Sequence, residues 1–127
     1  MDETRAQEKK LSSRQTADNF LLSLKQEDYL RAYEYTQSSW RTKQYHTPEW
    51  LLDNLSHKRI VRYTFLREEV KTSVFVSVEY MIRFRVGTEL RKGIIKFNLI
   101  CESKPYETSK EGTWGVNPIS ALNIREI

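Results

Sequence analysis

The hydrophobic pattern of this chain changes period once. Before His57 the apolar positions recur every three or four residues, and after it they alternate with polar ones. In "SSRQTADNFLLSLKQ", Ala17, Phe20, Leu21 and Leu24 follow helical spacing. Ser12 and Gln15 stand in capping-box spacing, where each side chain satisfies the other's backbone N–H. This predicts a helix from about Ser13 to Lys25. Asp28 then offers an N-cap. Tyr29, Ala32, Tyr33, Thr36 and Trp40 fall at i, i+3, i+4, i+7 and i+11, one face of a second helix. "HTPEWLLDNLS" predicts a third, short helix. Thr47 caps it, Pro48 takes the first helical position, and Trp50, Leu51 and Leu55 form the apolar side.

The second half reads as strands. In "KRIVRYTFLREE", Val61, Tyr63 and Phe65 alternate with Arg62 and Thr64. In "TSVFVSVEYMIRFRVG", Val74, Val76, Val78, Tyr80, Ile82, Phe84 and Val86 share one face, and Phe75, Ser77, Glu79, Met81, Arg83 and Arg85 the other. Gly87, Thr88 and Glu89 predict a turn. "ELRKGIIKFNLICES" returns with Ile95, Phe97, Leu99 and Cys101 on one face. "KPYETSKEG" reads as a polar loop. "TWGVNPISALNIREI" reads as a last strand broken near Pro118. Three helices followed by about four strands predict an α+β fold, with the helices packed on one face of an antiparallel sheet. Strands this long must curl around the helical layer.

With 127 residues the chain suits a single domain, placed at 12–127 behind a solvated lead-in at 1–11. A hydrophobic content of 39% supports a real core and excludes a disordered chain. Net charge is +4, but Lys and Arg are interleaved with 17 acids, which permits an anionic partner without arguing for one. The lone cysteine, Cys101, excludes an internal disulfide and a cysteine-built metal site. It lies in the apolar run "IKFNLIC" and reads as a small buried hydrophobe. No stretch reaches the ~20 apolar residues of a membrane span. No signal peptide is visible in "MDETRAQEKK". A whole soluble protein and a fragment trimmed of a signal or anchor both fit.

Motifs of chemistry are sparse. His46 and His57 stand too far apart for a helical metal pair and read as surface residues. No glycine-rich phosphate loop, nucleophile elbow or cofactor motif is present. Lys58, Arg59, Arg62, Arg83, Arg85, Arg91 and Lys92 outline a basic patch, the weakest of three binding readings. Phosphate binding there would weaken steeply with salt.

Several motifs together resemble the nuclear transport factor 2-like superfamily. They are the two helices joined through "LKQEDYLRAYEYT", the helix "HTPEWLLDNL", the long antiparallel strands, and Gly112-x-Trp114-x-Val116 near the end. The resemblance spans roughly residues 12 to 125. It implies a cone in which the sheet curls strongly around the helices and Trp114 points off the last strand into the core. Gly112 would allow the turn into that strand. Gly115 departs from the usual pattern and suggests a bulge or a close neighbour.

Enzymes of this superfamily, such as ketosteroid isomerase, scytalone dehydratase and limonene-epoxide hydrolase, need inward acids, bases or oxyanion donors. On the inward face of the longest predicted strand Tyr80 is the one polar residue, and the next strand offers none beyond Cys101, so no catalytic residues are assigned and a non-catalytic role is expected. Self-association or a protein partner is the leading reading. It uses the outer sheet face, where Phe75, Met81, Ile94 and Ile100 sit opposite the core set. The alternative is a small apolar ligand held in a cone lined by Tyr33, Tyr63, Tyr80 and Trp114, with Tyr29 and Trp40 at its mouth. By resemblance, the expected setting is an extracytoplasmic, membrane-tethered bacterial domain serving a cell-envelope machine. The single unpaired cysteine points instead to the cytoplasm.

Overall fold

Local capping chemistry sets where the helices begin. In the computed structural model, which describes residues 10–127, α1 spans Ser13–Lys25. Ser12 and Gln15 close the capping box: the Gln15 N–H donates to Ser12 Oγ at 3.1 Å, and the Ser12 N–H donates to Gln15 Oε1 at 2.9 Å. Asp28 caps α2 (Tyr29–Glu34) by accepting from the Arg31 N–H. Thr47 caps α3 (Pro48–Leu55), with Pro48 in its first turn. Most of the lead-in expected at 1–11 lies outside the described residues. Lys10 and Leu11 are exposed, and Lys10 Nζ donates to the Lys110 carbonyl at 2.7 Å.

The second helix is shorter than its periodicity predicts. It stops at Glu34, and Thr36 leaves the helix to bridge Val116 in parallel. The Gln37 N–H donates to the Val116 carbonyl, and the Val116 N–H to the Tyr35 carbonyl. Trp40 is still buried, but it sits on a separate 3₁₀ turn, Trp40–Thr42. Hydrogen bonds to the distant strand replace those of a continued helix, so a tertiary partner overrides a helical pattern.

Among the described residues the sheet is antiparallel, open and six-stranded: β1 (Arg59–Val70), β2 (Phe75–Val86), β3 (Glu89–Lys104), β4 (Glu107–Thr108), β5 (Thr113–Asn117) and β6 (Ile124–Glu126). β1, β2 and β3 lie side by side, and β4, β5 and β6 all pair with β3. The count exceeds the expected four because the polar loop contributes β4 and the last strand splits. Pro118 opens a 3₁₀ turn, Pro118–Leu122, between β5 and β6. Two bulges interrupt β1, between Ile60 and Arg62 and between Phe65 and Arg67. They raise local twist.

One sheet face is sealed by the helices. Phe20, Leu21, Ala32, Leu51, Val78, Ile82, Phe84, Phe97 and Val116 are fully buried there. Phe20 and Phe97 meet edge to face with centroids 5.4 Å apart, a contact between α1 and β3. Cys101 is buried, as its apolar run implies. Trp114 lies opposite Cys101 and packs against the core, half-buried rather than sealed inside it. Gly115 is explained by a close neighbour: a Cβ there would lie 2.3 Å from Gln37 Cα. Gly112 answers a similar constraint, since its Cβ would lie 2.2 Å from the Glu102 carbonyl carbon. Among the described residues no helix is long and apolar enough to cross a membrane.

Candidate functional site

The inward aromatic residues divide into two groups. Tyr80 on β2 is 1% exposed and faces Tyr63 edge-on at 5.9 Å, with Phe65 and Phe97 alongside. Its hydroxyl donates a short hydrogen bond to Asp18 of α1. Arg14, one helical turn before, donates to the same carboxylate at 3.3 Å, and its guanidinium lies over the Phe65 ring at 3.5 Å. Burial first, and then the Asp18 hydrogen bond and charge, push the Tyr80 phenol far above its usual range. Burial, with Asp18 second, also raises Tyr63. Tyr80 is therefore a neutral donor already committed to a carboxylate.

Tyr33 belongs elsewhere. It meets Trp40 edge-on at 6.2 Å; His46 stacks on Trp40 at 4.3 Å, and Trp50 packs edge-on at 5.1 Å. His46 is thus half-buried in an aromatic cluster and not a surface residue, with Nδ1 2.7 Å from the Trp40 carbonyl. Of the four expected pocket residues, Tyr63 and Tyr80 come together, while Tyr33 and Trp114 stand apart from them.

A cavity of about 240 Å³ opens at another end of the helical layer. Leu24, Leu55, Ile60, Ile95 and Ile124 contribute apolar walls, and Asn54, His57 and Lys58 contribute polar groups. None of Tyr33, Tyr63, Tyr80 or Trp114 lines it. His57, exposed as expected, stands at this opening.

The register decides the outer face. Phe75 lies opposite Ile100, and Met81 opposite Ile94. The pairs Ser77–Asn98 and Glu79–Lys96 separate them. The four expected interface residues therefore form two patches about 20 Å apart, at ~3.4 Å per residue. Phe75 is 42% exposed, whereas Met81, Ile94 and Ile100 are half-buried. Phe75 rises between two hollows. One, of about 490 Å³, is lined by Lys71, Thr72, Val76 and Asn98 beside it. The other, of about 190 Å³, is lined by Gln37, Ile100 and Asn117.

The same register sorts the seven basic residues. Arg91 is on the other parity, opposite Phe84, and pairs with Glu89 and Glu126. Lys58 stands at the cavity. The remaining five share the outer face. Arg62, Arg83 and Lys92 lie directly opposite one another across three strands, and Arg59 opposite Arg85 forms the next rung.

Asp18 and Arg14 escaped the sequence reading. A polar residue beside an apolar helical stripe reads as solvated, and only the partner strand reveals otherwise. The detectable signal was their i, i+4 spacing of opposite charge. Glu102 is a second omission. It is 5% exposed and accepts from the Ser38 hydroxyl at 2.9 Å and the Ser39 N–H at 3.1 Å.

No protein-family model matches the chain, and no curated protein matches it at a significant level.

Proposed function

We propose that the chain is a non-catalytic interaction domain of the nuclear transport factor 2-like cone type, self-associating through the outer face of its sheet. The observation that carries this reading is Phe75, a large aromatic exposed on a sheet face between two hollows. A knob beside a hole is self-complementary: in a two-fold dimer each copy inserts its own Phe75 into the other's hollow. The filled interior supports the same reading. Phe20, Tyr80 and Phe97 occupy the space between α1 and the sheet, and the Tyr80 proton is engaged by Asp18. A role as an accessory of a bacterial cell-envelope machine follows from the family resemblance.

A native mass spectrum of the purified chain tests this. A dimer is expected, and Phe75→Glu should convert it to folded monomers with an unchanged circular-dichroism spectrum, losing only the concentration-dependent part of Tm that dimerisation supplies. A wild-type monomer across micromolar concentrations would overturn the assignment. The second reading, a small apolar ligand, is favoured by the cavity at Leu24, Leu55 and Ile95, which is somewhat below the ~300 Å³ of ordinary ligand pockets. A reproducible added mass of ligand size on the monomer would select it.

A further inference from the structure

Charge is distributed unequally between the two layers. From Ser12 to His57 the helical half carries five Lys or Arg against six Asp or Glu. From Lys58 to Lys104 the sheet carries eleven Lys or Arg against five Glu. Five of those sheet cations, Arg59, Arg67, Lys71, Arg91 and Lys104, pair with a carboxylate, as Arg67 does with Glu79 at 3.2 Å. One end of the outer face is different. Arg62, Arg83 and Lys92 form a single cross-strand rung, are exposed, and show no carboxylate within ion-pair distance among the described residues. Like charges directly opposite one another destabilise a sheet. Here two such contacts adjoin, and the next rung repeats the pattern with Arg59 opposite Arg85, of which Arg59 has Glu27 at 3.3 Å. A hollow of about 230 Å³ lies among Arg62, Arg83, Lys92, Thr64 and Met81.

We infer that this end of the sheet docks on an anionic lipid surface. A grid two rungs deep and three strands wide presents its cations together on about 10 Å by 7 Å of backbone, from ~4.8 Å between strands and ~3.4 Å per residue. Several unpaired cations on one exposed face are what a negatively charged leaflet attracts. The rim supplies the apolar component of interfacial binding. Leu90, opposite Arg85, is 47% exposed, and Ile127, whose N–H donates to the Lys92 carbonyl, is 59% exposed. Single-stranded nucleic acid calls for aromatic platforms among the cations, and the one aromatic residue lining this hollow, Tyr63, is engaged edge-on with the buried Tyr80. The inference does not rest on self-association. Phe75 lies about 27 Å along β2 from Arg83.

The test is co-sedimentation of the purified chain with phosphatidylcholine vesicles and with phosphatidylcholine–phosphatidylserine vesicles at low and physiological salt. Binding to the anionic vesicles alone, weakened by salt, is expected. The triple variant Arg62→Gln, Arg83→Gln, Lys92→Gln should bind roughly a hundredfold more weakly, at about fivefold per cation. Its Tm should equal or exceed that of the wild type, because the repulsion is gone, so weaker binding cannot be mistaken for misfolding. Equal sedimentation with neutral vesicles overturns the inference. So does undiminished binding by the triple variant, or retention on polyglutamate or RNA without retention on vesicles. Vesicle binding and oligomeric state are separate readouts, so either conclusion can fail alone.

Discussion

The two faces of β2 and β3 are built on one backbone yet obey different rules. On the inner face Val76, Val78 and Tyr80 lie opposite Leu99, Phe97 and Ile95, Ile82 and Phe84 continue the row opposite Gly93 and Arg91, and all eight of the apolar or aromatic residues are at most 5% exposed. On the outer face the rungs alternate between apolar, polar, opposite-charge and like-charge pairs. The inner face is arranged for stability throughout. The outer face keeps two arrangements that stability disfavours, an exposed phenylalanine and a row of three cations. A feature that costs stability and has no structural beneficiary points to something outside the fold.

The contrast can be broken in four places. The largest effect should come from Phe97→Ala, which removes the partner of Phe20 and should cost about 3–5 kcal/mol in urea unfolding. Its outer-face neighbour Asn98→Ala should stay within about 0.5 kcal/mol. Similar losses at both would erase the distinction between the faces. Gly115→Ala should follow at roughly 1–3 kcal/mol, because the added methyl meets the Gln37 backbone. A neutral result there would mean that the chain at Gln37 can withdraw from β5.

Tyr80→Phe should cost about 1 kcal/mol at neutral pH through the lost hydrogen bond to Asp18. It should also change the alkaline limb of stability. The folded phenol titrates above its unfolded value of 10.0, so the native state holds the proton longer. Stability from this group is complete below pH 10.0 and is lost as pH rises toward the folded value. The wild type should therefore weaken above pH 10.0, and Tyr80→Phe should weaken less steeply. Parallel alkaline limbs in the two proteins would detach Tyr80 from that behaviour. The smallest effect is expected from Arg83→Gln, a stabilisation of about 0.2–1 kcal/mol from relief of the Arg62–Arg83–Lys92 rung. A destabilisation would show that Arg83 has a structural partner.

The features legible in the sequence were local. The caps at Ser12, Asp28 and Thr47 need only neighbouring residues, and the parity of β2 and β3 needs only alternation. What escaped depends on partners remote in the chain. The periodic run through Thr36 and Trp40 is genuine, and both residues are buried, but β5 claims the backbone that a helix would have used. Asp18 became visible as a site residue only once Tyr80 stood opposite. The outer-face candidates were assigned to the correct face. Their division into two patches and the alignment of Arg62, Arg83 and Lys92 required the register, which the bulges in β1 shift in ways alternation cannot foresee.

The clasp between Thr36 and Val116 has a consequence for how the chain is made. As the ribosome releases it, α2 and the aromatic cluster around Trp40 emerge long before the strand that holds them. Contacts so distant in sequence slow folding, and until β5 arrives the buried side of Trp40 and the free edge of β3 have no cover. The nascent protein therefore passes through an interval in which its helical half is waiting on β5, and that is the window in which a chaperone would find it.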